Sequence, residues 1–391
     1  MPTSTEDKIS INTAVSIGMK SMIGAGIFST TSLLGSKIGP AGILSYLLAF
    51  AAVWFIAQSF ARVAYLYPKE GSFYTYAKQA GGHTLGLMAA GAYLIGLLIA
   101  MGLLTKIAAM YVQPFWPELR QVTFLIVALL IALNIFGMKL SSMGIYILLS
   151  LTLYAIIMTS ALCLSNFNSA HLFPFMPYGF SSVLSGTKVA VFGLFGFESI
   201  ASLFNIMENP EKNVPKALRR TILYVGIIYF IFISSILTGI PQDVFLSPNI
   251  TIPQTLYAIF PNYLYLIQTI GIAIFFAILG TIHAMLWSSS QFMQSYFKFL
   301  KINCSAKTCV GIGGSVILFT CLTITDIKTF FSLTDTFVLF AFITSIIPLL
   351  KLKNEWKSGQ NYITVLGLIS AFIIFAVAGE GLVKNLITWF H

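Results

Sequence analysis

The stretch Ser16-Ile-Gly-Met-Lys-Ser-Met-Ile-Gly-Ala-Gly-Ile-Phe28 carries the run Gly24-Ala25-Gly26 inside an apolar segment, and Phe192-Gly-Leu-Phe-Gly-Phe-Glu-Ser-Ile200 carries a second glycine-rich run inside another. Glycines at matching places predict two interrupted membrane helices. A helix in a bilayer can lose its regular hydrogen bonds only where the freed groups face protein or a watery cavity. Paired interruptions are typical of secondary transporters, which bind solute there. The same glycines also fit close helix packing alone.

The composition around these stretches places the chain in a membrane. Of its 391 residues, 57% are hydrophobic and 9% are charged, and the mean hydropathy is +0.88. These values lie far outside those of soluble domains. Since a spanning helix needs about 20 apolar residues, the pattern predicts about eleven transmembrane helices in an all-α integral membrane protein. The predicted ranges are 10–33, 41–66, 85–111, 122–136, 141–164, 185–207, 221–240, 264–298, 308–324, 330–350 and 361–387.

The basic residues predict the orientation, because positively charged loops are retained on the cytoplasmic side. With a cytoplasmic N-terminus, 15 of the 22 Lys and Arg residues fall on the cytoplasmic side. The opposite side receives Lys37, Arg120, Lys328 and Lys384, and the helices contain Lys20, Lys106 and Lys188. We therefore predict a multi-pass protein of the plasma or inner membrane. The net charge of +10 reflects topology, so we expect no nucleic-acid partner.

The helix count suggests two related halves within one membrane domain spanning 1–391. Repeat one covers about 10–164, repeat two covers about 185–350, and an extra helix follows at 361–387. Because five helices per half is an odd number, the second half is inverted in the bilayer. The expected fold is a five-plus-five inverted-repeat transporter with discontinuous helices 1 and 6.

Each interruption offers a different polar surface. The fragment after a break presents free backbone N–H groups and the positive end of its dipole, and the fragment before it presents carbonyls. We expect a carboxylate to bind the N–H groups around Gly24, Ala25 and Gly26. An ammonium would bind carbonyls near Phe195 and Gly196. This arrangement suits an amino acid or a related amine.

Several motifs resemble those of one family. Ser16–Phe28 is similar to the first-helix signature of the amino acid-polyamine-organocation superfamily, whose core is I-G-x-G-I-F. Phe192–Ile200, followed by Glu208-Asn-Pro-Glu-Lys-Asn-Val-Pro-Lys-Ala217, resembles its sixth helix and the next cytoplasmic loop. Pro68-Lys-Glu-Gly-Ser-Phe-Tyr-Thr-Tyr76 and Gly137-Met-Lys139 are supporting matches. The resemblance covers residues 10 to about 350.

The resemblance implies alternating access and a substrate held between helices one, three, six and eight. It assigns the amine site to the backbone of Phe192, Phe195 and Gly196. Phe192 falls where relatives carry an aromatic lid, although a packing phenylalanine would explain it equally in a chain with 34 Phe. Tyr93 on helix three either hydrogen-bonds the substrate or packs.

Lys20 departs from the family's usual first helix. It lies about ten residues into the helix and hence ~15 Å deep, so it must be paired, neutral or hydrated. We hypothesise that its ammonium occupies or borders the site where sodium-coupled relatives bind an ion, with hydroxyls from Ser288, Ser289 and Ser290 on helix eight. The alternative is a lysine in a wet cytoplasmic vestibule with no coupling role.

Two further titratable residues lie at membrane depth. Glu198 follows the second break, where an ionised carboxylate is costly unless it is paired or hydrated, and it is a candidate proton-sensing or gating group. The alternative is a carboxylate that caps the following helix fragment. His283 is a conceivable proton relay, although a lone histidine is more often structural.

Other function classes have little support in the sequence. It contains no H-E-x-x-H, G-x-S-x-G or Walker motif, its four histidines are dispersed and its four cysteines are scattered, so we expect neither an enzyme nor a metal or cofactor. The prediction is a sodium-independent secondary transporter of amino acids, by proton symport or exchange, acting as a monomer or homodimer. The alternatives are a polyamine or organic amine transporter, a channel and a non-transporting sensor.

Overall fold

The computed structural model describes residues 8–67, 72–113, 117–136, 142–245, 250–351 and 361–390, and these are almost entirely helical. We number the α-helices α1 to α13. They are α1 Ile11–Met22, α2 Ala25–Lys37, α3 Gly42–Leu66, α4 Ser72–Val112, α5 Leu119–Ile135, α6 Ser142–Ser165, α7 Gly179–Leu194, α8 Pro210–Gly239, α9 Ile252–Ile259, α10 Leu264–Phe299, α11 Ala306–Thr323, α12 Ile327–Ile346 and α13 Asn361–Phe390. A 3-10 segment, Phe197–Ile206, follows α7.

The described helices confirm an all-α membrane protein. Nine stretches are long and apolar enough to cross a bilayer, and α5 is a shorter apolar helix. The α1 and α2 pair accounts for one more crossing, because the two helices are separated by Ile23 and Gly24 alone. The described part of the chain therefore contains the eleven spanning elements that the sequence predicts.

Three predicted helix starts are wrong. Helix α4 begins at Ser72 rather than 85, and Gly81 and Gly82 form a kink inside it. Helix α7 begins at Gly179 rather than 185, and α8 begins at Pro210 rather than 221. Pro210 occupies the first turn of α8, where a missing backbone N–H costs no hydrogen bond. The charged segment after Asn209 is therefore helical.

The two interrupted elements pack side by side in opposite directions. Helix α2 packs against α7, and α1 packs against the 3-10 segment. Gly186 approaches Leu34, whereas Gly193 approaches Gly26, so the numbering rises along one helix as it falls along the other. Beyond the breaks, the Ile9 amide donates to the Ile206 carbonyl at 2.8 Å and the Glu208 amide donates to the Ile9 carbonyl at 3.1 Å. Both breaks consequently lie at the same level of the bundle.

We name the two ends of the bundle by their residues. The Ser10 end is where α1 begins and the 3-10 segment finishes, and the Lys37 end is where α2 finishes and α7 begins. Around this central pair, α3 packs against α7 and α8, and α4 packs against α10 and α12. Helix α13 covers α3 and α12.

Some residues named in the sequence analysis fall outside the described part of the structure. They are residues 68–71 of the match at Pro68–Tyr76, the match at Gly137-Met-Lys139, and the side chain of Lys384.

Candidate functional site

The first break separates α1 from α2 at Ile23 and Gly24. Ile23 has ψ 78° and Gly24 has φ −117° and ψ −150°, so the backbone is extended there. The Gly24 amide donates to the Met22 carbonyl at 2.9 Å. No side chain caps α2 at Gly24, so the amides of Ala25 and Gly26 begin a helix without an internal partner. These two amides, and not that of Gly24, are the N–H groups available at this break.

The second break follows α7. Phe195 is extended with ψ 160°, and Gly196 has φ +116°. A Cβ at Gly196 would lie 2.6 Å from the Ser21 carbonyl oxygen, so both the backbone conformation and the space require glycine. The Phe195 amide donates to the Phe192 carbonyl at 3.4 Å, and the remaining carbonyls of the last turn of α7 lack helical partners because the chain leaves the helix at Phe195.

The two breaks meet where glycine replaces a side chain on both elements. A Cβ added at Gly26 would lie 3.1 Å from the Gly193 Cα. This approach brings the N-terminus of α2 beside the C-terminus of α7. One face of the contact therefore supplies backbone donors with a partial positive charge, and the other supplies backbone acceptors with a partial negative charge.

A cavity opens at this crossing and encloses about 530 Å³ of space not occupied by protein atoms, part of it open to solvent. It is lined from α1, α2, α4, α7, α10, α12 and the second break. We call it the central cavity; its lining is Ser21, Met22, Gly24, Gly26, Tyr93, Leu97, Ala100, Leu104, Phe192, Phe195, Gly196, Glu198, Thr281, Met285, Thr334 and Val338. Most of these side chains are apolar, so polar recognition falls mainly to the breaks.

Glu198 lies at the wall of the central cavity and is 5% exposed. Its carboxylate accepts from the Gly196 amide at 2.9 Å and from the Tyr93 hydroxyl at 3.2 Å. Tyr93 stacks on Phe73, with ring centroids 4.2 Å apart, so its ring is held in place. The structure thus joins Glu198 on the second interrupted element to Tyr93 on α4.

Lys20 is buried, with 5% exposure. Its ammonium donates to the Ala277 carbonyl at 2.9 Å and to the Thr281 hydroxyl at 2.6 Å. Both acceptors belong to α10, so Lys20 joins α1 to α10. Thr281 also lines the central cavity, and a Cβ at Gly24 would lie 3.1 Å from its Cγ2. The ammonium therefore lies next to the first break.

The serines expected beside Lys20 lie elsewhere on α10. Ser288 and Ser289 hydroxyls donate to the carbonyls of Met285 and Leu286 in their own helix. Ser288 comes seven residues after Thr281, or ~10 Å along the helix axis. The hydroxyl of α10 that contacts Lys20 is that of Thr281.

His283 packs on a different face. It is 8% exposed, and its Nδ1 lies 3.0 Å from the Asn134 side-chain amide on α5. It does not line the central cavity. The structure therefore places His283 between α10 and α5, apart from Lys20 and Glu198.

Two phenylalanines at the second break contact α12. Phe192 meets Phe331 edge to face with centroids 4.8 Å apart, and Phe195 stacks with Phe342 at 5.9 Å. Phe192 lines the central cavity on the side of the Lys37 end, where α7 continues toward Gly179. Its ring forms part of the cavity wall and contacts Phe331.

Sequence reasoning missed Thr281 and Asp335. Asp335 on α12 is completely buried, and neither carboxylate oxygen has a hydrogen-bond partner among the described residues. Lys188 on α7 lies close enough to interact with it electrostatically, and the Lys188 ammonium donates to Ser332 at 2.9 Å. An acid within an apolar helix is the signal that could have identified Asp335. Thr281 had no comparable signal.

The chain is similar in sequence to known membrane transport proteins. The family model for amino acid permeases matches residues 13–298, well over half of the chain. The aromatic amino acid transport protein AroP of Corynebacterium glutamicum is 30% identical over 230 residues, which cover 54% of this chain and 49% of that protein. The branched-chain amino acid permease BcaP of Bacillus subtilis is 26% identical over 246 residues, which cover 57% of this chain and 53% of that protein. The gamma-aminobutyric acid permease of Escherichia coli is 28% identical over 245 residues, which cover 58% of this chain and 52% of that protein.

The match spans about half the length of these curated relatives. The region matched by the family model includes most of α1, both breaks, Tyr93, Glu198 and Thr281. The chain belongs to the amino acid permease family.

Proposed function

We propose that this protein is a secondary transporter that carries amino acids across the membrane by alternating access. The observation that supports this best is the meeting of both interrupted elements at one cavity, where Gly26 approaches Gly193. The amides of Ala25 and Gly26 would hold the carboxylate. The carbonyls near Phe192 and Phe195 would hold the ammonium, together with the backbone at Gly196. Opposite helix ends suit the two charges of a zwitterion.

The substrate side chain that fits best is neutral and apolar. Leu97, Leu104, Met285 and Val338 form much of the cavity wall. Glu198, the acid in the described lining, is already engaged by Gly196 and Tyr93. Relatives named for aromatic and branched-chain amino acids agree with this choice. We therefore take L-leucine and L-phenylalanine as test substrates.

Lys20 supports sodium independence. A carbonyl and a hydroxyl are ligands that a hard cation such as sodium would take, and here the Lys20 ammonium binds both. A fixed positive charge between α1 and α10 would replace a bound metal ion. In this role Lys20 stabilises the arrangement of the first break.

Glu198 is the proposed proton-coupling or gating residue. It is joined to Tyr93 and lies in the wall of the central cavity. A carboxylate that gains or loses a proton there would change its bond with Tyr93 and the charge beside the second break. Proton symport and amino acid exchange both remain compatible with this role. Ser288, Ser289 and His283 have weaker support, because none of them lines the central cavity.

We further propose the two-repeat organisation, with halves at about 10–164 and 185–350 and α13 outside them. The antiparallel contact of α2 with α7 supports an inverted relation. The distribution of Lys and Arg supports a cytoplasmic Ser10 end and an outward-facing Lys37 end in the cell membrane. The functional unit would be a monomer or a homodimer.

A competition binding experiment tests the substrate class. Purified protein in lipid nanodiscs would be equilibrated with radiolabelled L-leucine and challenged with L-phenylalanine, L-aspartate, gamma-aminobutyrate and putrescine. We expect saturable leucine binding that L-phenylalanine displaces best. No leucine binding, together with saturable binding of radiolabelled putrescine in a parallel titration, would favour an organic amine transporter. Binding without any transport in proteoliposomes would favour a sensor.

A further inference from the structure

A second cavity lies at the Lys37 end, between α2, α7 and the start of α12. It encloses about 610 Å³ of space not occupied by protein atoms, part of it open to solvent. We call it the lysine cavity; its lining is Leu33, Leu34, Lys37, Ile38, Ser182, Ser185, Gly186, Lys188, Val189, Lys328 and Phe331. Three of these residues are lysines, and none of the described lining residues is acidic.

The lysine cavity and the central cavity are neighbours. Phe331 lines the first and Phe192 lines the second, and the two rings are in contact with centroids 4.8 Å apart. A solute in the lysine cavity would therefore be one pair of aromatic rings away from the two breaks.

The three lysines differ in their surroundings. Lys188 is half-buried, donates to Ser332, and lies close enough to Asp335 on α12 to interact with it electrostatically. Lys37 ends α2 and Lys328 lies in the first turn of α12, and both are exposed. Neither of these two has an ion pair within the described part of the chain. Their charges are consequently available to an anion in the cavity.

The rest of the wall limits what such an anion can be. Leu33, Leu34, Ile38 and Phe331 give the cavity an apolar side, and Ser182 and Ser185 add hydroxyls. A small inorganic anion would leave the apolar side uncovered. A carboxylate with an apolar tail would satisfy both parts of the wall.

We propose that the lysine cavity is an outer binding site that takes a monocarboxylate with an apolar tail, namely the amino acid substrate before it passes Phe192 and Phe331. This inference rests on the proposed function. Lys37 and Lys328 hold the carboxylate, while the apolar wall receives the side chain. The site recognises the carboxylate and not the α-amino group, because its described lining offers no acid for an ammonium.

The recognition of one charge makes the site separable from the central cavity. 4-Methylpentanoate, which is leucine without its amino group, should bind the lysine cavity. 3-Methylbutylamine, which is leucine without its carboxylate, should not. Calorimetric titration of the purified protein in nanodiscs of neutral lipid measures both ligands directly. It needs no transport activity, so it gives a result even if leucine proves not to be a substrate.

The matched variants are Lys37→Gln/Lys328→Gln and Arg120→Gln. The double variant removes two exposed charges from the lysine cavity. It leaves in place the half-buried Lys188 and its interactions with Ser332 and Asp335. Arg120 is an exposed cation on α5 that lies outside the cavity lining. We expect the double variant to bind 4-methylpentanoate roughly tenfold more weakly and Arg120→Gln to bind it like the wild type. Bound L-leucine at the central cavity should be retained by both.

The inference fails if the wild type does not bind 4-methylpentanoate, and three further results would overturn it. The first is equal 4-methylpentanoate affinity in the double variant and the wild type. The second is displacement by inorganic phosphate as efficient as by L-leucine, which would indicate a general anion site. The third is loss of binding when phosphatidylglycerol is added to the nanodiscs, which would assign the cavity to a lipid headgroup. A different result would contradict the proposed function and leave this inference standing. It is 4-methylpentanoate binding that depends on Lys37 and Lys328, combined with an absence of leucine exchange.

Discussion

At the scale of single residues, the first break is held by polar contacts from neighbouring helices. Lys20 donates to Ala277 and Thr281, and the Tyr229 hydroxyl donates to the Met22 carbonyl at 2.8 Å. The Met22 carbonyl also receives the Gly24 amide. These contacts compensate for backbone bonds that the interruption removes, which is how a break in a membrane helix is tolerated.

Replacement of Lys20 should impair transport strongly. Lys20→Ala removes a charged donor from two buried acceptors, and hydrogen bonds of this kind contribute about 2 kcal/mol, or a factor of about 30 in an equilibrium. We expect leucine uptake to fall by at least about tenfold and its pH dependence to change. The measurement is uptake by proteoliposomes at two external pH values. Lys8→Ala, on the segment before α1, is the control. Unchanged rate and pH dependence in Lys20→Ala would exclude a coupling role.

Glu198→Gln tests proton coupling with little change in shape. The amide oxygen can still accept from the Gly196 amide and the amide nitrogen can donate to the Tyr93 hydroxyl oxygen, but the side chain no longer gains or loses a proton. Uptake by this variant should become independent of external pH while leucine still binds. Glu211→Gln alters an exposed acid in the first turn of α8 and should retain the wild-type pH profile. If Glu198→Gln keeps that profile, the carboxylate is a structural cap.

At the scale of secondary-structure elements, the two breaks depend on glycines with different spatial requirements. Gly26 is needed because α2 and α7 touch there, whereas Gly196 is needed for its backbone conformation and for its contact with Ser21. Two substitutions separate these requirements.

Gly26→Ala should weaken substrate binding without a backbone penalty. The added Cβ would lie 3.1 Å from the Gly193 Cα, and overpacking of this kind costs about 1–3 kcal/mol. We expect leucine affinity to fall by about tenfold, as measured by radioligand binding. Gly311→Ala on α11 adds a Cβ with no atom within 4 Å and is the matched control. Equal affinities in the two variants would show that the α2 and α7 contact does not shape the site.

Gly196→Ala should destabilise the protein more than Gly179→Ala. Both glycines have positive φ, so both substitutions carry a left-handed penalty of about 1–2 kcal/mol. A Cβ at Gly179 meets nothing within 4 Å, whereas one at Gly196 meets Ser21 at 2.6 Å. The difference in thermal unfolding temperature in detergent therefore measures the crowding at the second break. Equal temperatures would contradict the close contact.

Most of the helices and both helix interruptions could be predicted from the sequence. Apolar composition and glycine pattern are properties of a short stretch of chain, so they need no knowledge of the fold. The glycine pattern placed the interruptions at Gly24 and Gly196, where the structure has them. The predicted start of α8 at 221 is too late, because the charged and proline residues at 210–220 interrupt the apolar pattern, although proline fits a first helical turn.

The contacts between helices could not be predicted in the same way. Lys20 was expected beside the eighth membrane helix, and its ammonium contacts α10. Which hydroxyl it contacts depends on the depth and rotation of α10. Those are set by packing between distant segments, and the result is Thr281 rather than Ser288. Asp335 carried a sequence signal that was overlooked, whereas its proximity to Lys188 required the fold.

For the whole molecule, transport by alternating access requires the central cavity to open to each side of the membrane in turn. In the present structure, Phe192 and Phe331 are in contact between the central cavity and the Lys37 end. Such a ring pair must separate for solute to enter from that end, while the two breaks remain at the contact of α2 with α7. This distinguishes a carrier from a channel, because a carrier exposes its site to one side at a time.

The most direct test of this account is counterflow in sodium-free proteoliposomes preloaded with unlabelled L-leucine and diluted into labelled L-leucine. We predict transient accumulation of label above equilibrium, saturable with concentration, greatly reduced in Gly26→Ala and retained in Gly311→Ala. Correctly inserted protein that gives no accumulation with L-leucine or L-phenylalanine would contradict the claim that this cavity carries neutral amino acids.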